Sequence, residues 1–263
     1  NTGYGTWKAA QLGGASTSAS NLRVDSQRLA NQGTEAVRGN AAAFTAFKAT
    51  RAQIDSDIEQ LNSRFGDTAG VAGPIRTVSE TWEPLGASAQ RLADSEAAVT
   101  AFAGQAERFS QRVPQLQALL DELVRAMSSS GSPSSQVYMA LRQVVVAGDM
   151  ARRVTEVQAG GPGAAIAGQG LRRNAEDFQQ VMTGLREGDP SRELQALTNG
   201  NALAALTRAD EAWAEMRTDL EAILGSSEQL FQAQAAATAI VAGSDQLLTD
   251  SESLFNAFTA FGS

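Results

Sequence analysis

The chain of 263 residues contains no cysteine and no histidine. Thiol nucleophiles, imidazole bases and the usual zinc ligands are removed together, leaving carboxylates, Ser, Tyr and Lys as candidates for chemistry. No enzyme, metal centre or cofactor is expected. A large helical core needs no disulfide, so the redox compartment stays open. Aromatic residues make up only 6%, and Val, Ile, Thr and Tyr never alternate over a strand's length, which argues against a sheet protein. No run of about eighteen apolar residues exists and the first residues lack a signal-peptide pattern. The start at Asn1 rather than Met points to an excised or processed fragment, with any membrane segments outside it.

What is present favours helix. Hydrophobic residues reach 43%, enough for a sizeable core, and the chain is rich in Ala, Gln, Leu, Glu, Ser and Arg. The net charge is -8 with both signs interleaved, so no surface tracks a phosphate backbone and nucleic acid is excluded as a partner. The fold class is all-α.

Residues 1–17 carry Gly3, Gly5, Gly13 and Gly14 with little periodicity and read as a leader or frayed helix start, with Trp7 docking on the bundle. A first helix covers about 18–38, where Leu22, Ser26, Leu29, Gly33 and Val37 share one face. After the Gly39-Asn40 turn, Phe44, Phe47, Ile54, Ile58, Leu61 and Phe65 mark a second helix. Ile75, Val78, Trp82, Leu85, Ala89 and Leu92 mark a third, with Pro84 as a bend or a late start. The fourth runs from Val99 to Met127, with a kink expected at Pro114. The breaker-rich segment 128–135 is the clearest linker, and four more helices follow, with Gly225-Ser226-Ser227-Glu228 separating the seventh from the eighth.

The two halves are copies. An offset of 131 (213 − 82) pairs Trp82 with Trp213, Leu92 with Ile223, Ser95 with Ser226, Phe109 with Ile240 and Leu123 with Leu254. Earlier in each half an offset of 121 (150 − 29) pairs Leu29 with Met150 and Thr34-Glu35 with Thr155-Glu156. The spacing implies two tandem up-down four-helix-bundle modules, 18–130 and 131–263.

With Leu22 to Leu29, the Gly39 turn and Trp82-Glu83-Pro84-Leu85 in place, the chain resembles the PilJ-type sensory modules of bacterial chemoreceptors and nitrate-sensing kinases. Those modules share a first-helix signature of the form Arg-Gln-Arg-Met-Leu-Ser-Gln-Arg. Arg23, Ser26, Gln27 and Arg28 match it in the first copy, although Asn21 replaces its first Arg. In the second copy Arg142-Gln143 match its first two places, while Ala147-Gly148-Asp149 replace Ser-Gln-Arg. Over the whole chain the likeness is to tandem modules of type IV pilus chemoreceptors. It implies a periplasmic, homodimeric sensory domain held between two transmembrane helices outside this chain. Its receptor would signal across the inner membrane to a Che-type kinase that controls twitching motility.

The signature residues Arg23, Ser26, Gln27, Arg28, Arg142 and Gln143 are the candidate ligand-binding set, since forked guanidinium donors suit a planar oxyanion such as nitrate. The competing reading is that exposed arginines simply pair with Asp25, Glu35 or solvent. Trp82 and Trp213, equivalent in the repeat, read as core anchors rather than stacking platforms. The carboxylate pairs Asp55 with Asp57, Asp121-Glu122 and Asp210-Glu211 read as solvated helix faces. Three functions remain open: recognition of pilin or another pilus protein, small-anion sensing, and a secreted flagellin-like structural role.

Overall fold

The computed structural model describes residues 2–262, and the side chains of residues 2, 4, 7 and 8 lie outside that description, as does the expected docking of Trp7. Among the described residues there are seven α-helices, one 3-10 turn at Pro190–Arg192 and no strand, so the chain is all-α. The helices are α1 Thr2–Ala36, α2 Ala41–Phe65, α3 Ala72–Asp94, α4 Glu96–Ser129, α5 Ser134–Ala159, α6 Ala164–Glu187 and α7 Gly200–Gly262.

The periodic apolar residues do what their spacing requires. Phe44, Phe47, Ile54, Ile58, Leu61 and Phe65 are all buried, as are Ile75, Val78, Trp82, Leu85, Ala89 and Leu92 on α3. Each such side chain contributes roughly 1.5–3 kcal/mol on burial, which sets the facing of each helix. Between α1 and α2 the chain reverses through Gly39 at φ 98, a left-handed backbone that favours glycine. Asn40 then caps α2, its side chain accepting from the Ala43 amide at 3.1 Å.

Helix runs through several of the expected punctuation marks. Helix α1 starts at Thr2, so most of 1–17 is helical. Helices α3 and α4 continue through Pro84 and Pro114. The Gly225 to Glu228 stretch breaks nothing: α7 is a single helix of 63 residues. Ser226 and Ser227 turn their hydroxyls inward to the Ala222 and Leu224 carbonyls at 2.8 and 3.1 Å, which keeps them inside the helix. A glycine in a helix costs only about 1 kcal/mol, less than the flanking turns gain from burying Ile223 and Leu230.

Packing divides the chain into two compact units, Asn1–Thr100 with Gln229–Ser263, and Ala101–Glu228. Unit 1 therefore holds α1, α2, α3 and the C-terminal part of α7, and unit 2 holds α4 beyond its first turn, α5, α6 and the N-terminal part of α7. The repeat offsets make α5 the copy of α1, and α7 the copy of α3 and α4 together. Each four-helix unit thus takes three helical segments from one repeat and its fourth from the other, so the repeats 18–130 and 131–263 and the compact units partition the chain differently.

Candidate functional site

The first-helix signature splits between core and surface. On α1, Ser26 is fully buried and its hydroxyl donates to the Leu22 carbonyl one turn back, so it is spent on its own helix. Arg23 is half-buried, with its guanidinium over the Phe255 ring, 4.9 Å from the centroid. Gln27 and Arg28 face outward, and Arg28 makes a 3.7 Å ion pair with Asp25. In unit 2, Arg142 is exposed on α5, whereas Gln143 is buried. Gln143 Nε2 donates to the Met139 carbonyl at 3.0 Å while its Oε1 finds no partner. Four signature residues thus belong to unit 1 and two to unit 2, and within α1 they point in different directions.

Beneath the α1 signature lies a group that the sequence hides. Asp25 and Asp57 are both buried in unit 1, so Asp57 is a core residue and not the solvated partner of Asp55 expected from its neighbours. Its Oδ1 accepts from Gln53 Nε2 at 3.1 Å, and its Oδ2 is enclosed without a partner. Burial pushes both carboxyl groups above the ordinary carboxylate range. Arg28 works against this for Asp25; for Asp57 the Gln53 bond works against it and the Asp25 charge adds to it. Asp250 on α7 is also buried, accepting from Thr81 at 2.5 Å and from Gln246 at 2.9 Å. One signal points to Asp57: Ile54, Asp57, Ile58 and Leu61 step by three, one and three along one apolar stripe, which puts the carboxylate on the buried face.

Both repeat tryptophans are core anchors held by one polar bond. Trp82 Nε1 donates to Asp55 at 2.6 Å, and Trp213 Nε1 donates to Gln179 at 2.8 Å. In unit 2 the Gln179 oxygen also accepts from Arg217 at 2.9 Å, and an open cleft of about 400 Å³ between α6 and α7 is lined by these residues with Arg172, Glu176 and Leu220. Beside it Arg186 pairs with Asp210 at 2.8 Å, so Asp210, also read as solvated, is tied across the helix pair. Arg186 and Arg217 are matched by Asp210 and Glu221, which weakens the positive field an anion would need. Among the described residues no group of three or more carboxylates is placed to hold a metal ion, and no helix is long and apolar enough to cross a membrane.

Comparison with known proteins finds sequence relatives of this chain. The chain is 28% identical over 243 residues to a methyl-accepting chemotaxis protein, AlkN, of Alcanivorax borkumensis, covering 92% of this chain and 36% of that protein. It is 29% identical over 246 residues to the protein PilJ of Pseudomonas aeruginosa, covering 91% of this chain and 36% of PilJ. The chain therefore spans about a third of the length of the curated relatives it matches. No family model matches. Among solved structures, the TorS sensor domain in its complex with TorT in the presence of TMAO aligns over 93% of this chain and 99% of that one, at 14% identity and a TM-score of 0.38. That superposition establishes neither fold nor function. The two sequence relatives do establish homology: the PilJ-type likeness drawn from the signature and the repeat extends over some nine-tenths of the chain.

Proposed function

With homology to PilJ and AlkN as the premise, we propose that this chain is the periplasmic sensory part of a chemoreceptor of the type IV pilus system. The receptor detects a ligand or a pilus or surface cue and signals across the inner membrane to a Che-type kinase controlling twitching motility. The observation that carries this reading is homology along nearly the whole chain to two receptors, one named for chemotaxis and one PilJ. Helix α1 and the C-terminal part of α7 share unit 1, so a change in its packing moves both at once. In a membrane receptor these two helices transmit the signal as a small sliding or rotation, biased by whichever packing the cue prefers. The repeats 18–130 and 131–263 are read here as duplicated sensory modules, working in a homodimer anchored by flanking membrane helices.

For the cue itself, recognition of pilin or another pilus protein is favoured over a small anion. Ser26 and Gln143 are enclosed and bonded to their own helices, which leaves Arg23, Gln27, Arg28 and Arg142 as the signature residues open to a ligand or a second copy. Titration calorimetry of the purified chain against nitrate, amino acids and pilin separates the readings. Heat with pilin alone supports protein recognition. Nitrate binding that Arg23→Ala or Arg142→Ala abolishes overturns it in favour of an anion sensor.

A further inference from the structure

Unit 1 carries a polar layer that the equivalent positions of unit 2 lack. Asp25 and Ser26 on α1, Asp57 on α2, and Asp250 and Ser251 on α7 are all buried. The 121 offset carries Asp25 and Ser26 to Val146 and Ala147, and the 131 offset carries Asp250 and Ser251 back to Leu119 and Leu120. For α2 and α6 the buried positions coincide at an offset of 124 (182 − 58), which matches Ile54 with Phe178, Ile58 with Met182 and Leu61 with Leu185. It also matches Asp55 with Gln179, the two tryptophan acceptors, and so carries Asp57 to Val181. At all five positions a polar side chain in unit 1 stands where unit 2 has an apolar one.

These residues share one level of the bundle. The bonds Asn62 to Ser79 and Trp82 to Asp55 make α2 and α3 antiparallel, and Thr81 to Asp250 with Gly243 against Leu85 makes α3 and α7 antiparallel. Helices α2 and α7 therefore run parallel, locked by the Phe65–Phe258 ring contact at 5.2 Å. Two turns back from that contact stand Ile58, beside Asp57, and Ser251; one turn on from Arg23, which lies over Phe255, stands Ser26. Asp57 Oδ2 and Ser251 Oγ are enclosed without a partner. The apolar set of unit 2 fills the same positions without stranding a charge, so the polar set lowers the stability of unit 1 while both carboxyl groups are ionised.

We propose that Asp25 and Asp57 form a proton-operated switch in the core of unit 1: uptake of one proton turns two repelling carboxylates into a hydrogen-bonded acid and carboxylate, and α1 tightens on α2. The proton comes from solvent, and the newly formed carboxyl O–H donates to the remaining carboxylate. The charged groups on the elements around the pair are Arg23 and Arg28 on α1, Asp55 on α2, Arg76 and Glu80 on α3 and Asp250 on α7. Of these, Arg28 offsets part of the Asp25 charge, Asp55 is bonded to Trp82 and Asp250 to Thr81 and Gln246. Among the described residues Asp57 thus has the amide of Gln53 as its one bonded partner. A carboxyl group raised by folding binds more protons folded than unfolded, so its contribution to stability falls as pH rises through the raised value and returns on acidification. The inference concerns this chain's own packing and stands apart from the receptor reading.

The test compares melting of the wild-type chain with Asp57→Asn and with Asp57→Val, the residue of unit 2, at about pH 7 and about pH 5. Both variants are expected to melt above wild type at neutral pH, by several degrees, and the gap is expected to shrink at the lower pH. A gap that is absent, reversed or independent of pH overturns the proposal, and so does failure of both variants to fold. Carboxyl-carbon NMR titration of the unaltered chain is the second measurement: raised midpoints for the pair support the switch, and ordinary midpoints for both overturn it.

Discussion

The indole N–H of Trp82 donates to Asp55 Oδ1 across 2.6 Å, tying the third helix of unit 1 to its second. The ring is buried while the carboxylate is half-exposed, so the bond sits at the edge of the core. Asp55→Ala is expected to cost about 1 kcal/mol, since solvent takes over part of the lost acceptor. Trp82→Ala removes a buried ring and is expected to cost about 3–5 kcal/mol. Urea unfolding followed by circular dichroism measures both.

Continuity of α7 gives a prediction of opposite sign. A side chain added at Gly225 would meet nothing within 4 Å, and the residue is helical. Gly225→Ala is therefore expected to stabilise the chain by about 0.5–1 kcal/mol. A turn at that position would make the same substitution neutral or destabilising.

Gln136 clamps the segment before α7 to α5. Buried on α5, it donates from Nε2 to the Gln195 carbonyl at 2.7 Å and accepts from the Gln195 amide at 3.2 Å. Gln136→Leu strands both backbone groups and is expected to cost about 2 kcal/mol. Hydrogen exchange should show faster exchange at the Gln195 amide than in the unaltered chain.

Asp189 organises the corner between α6 and α7. Its carboxyl group is held below the usual range first by the Ser191 hydrogen bond and then by Arg192, at 2.6 and 2.9 Å. A lowered carboxyl contributes stability that is present above its unfolded value and lost as pH falls through the folded value. Acidification is therefore expected to loosen this corner while it relieves the Asp25–Asp57 pair, and Asp189→Asn should remove the first effect alone. Amide exchange at Ser191 and Leu194 as a function of pH checks it.

Much of the fold is legible because apolar side chains recur at helical spacing. The Phe44 to Phe65 and Ile75 to Leu92 stripes locate both helices and core faces. Breakers are harder to read, because their effect depends on neighbours: Pro84, Pro114 and Gly225 all lie inside helices whose flanking turns are packed. Which fourth helix completes which unit is a tertiary fact, invisible to periodicity, and it follows from the unbroken passage of α7. Of the signature, Ser26 lies buried on the face that its spacing shares with Leu22 and Leu29, and Arg28 faces outward beside it, but the burial of Gln143 next to the exposed Arg142 depends on the angle at which α5 meets its bundle. Asp57 is misjudged when it is read with its neighbour Asp55 rather than with Ile54 and Leu61, three and four residues away.

The most direct test of the sensory role is replacement of the matched 246-residue region of Pseudomonas aeruginosa PilJ by this chain, with twitching motility as the readout and the amount of receptor in the inner membrane as the control. The account predicts that a strain carrying the chimera in place of PilJ twitches as the strain with unaltered PilJ does. A chimera present in the inner membrane at the normal level that leaves the strain unable to twitch would contradict it.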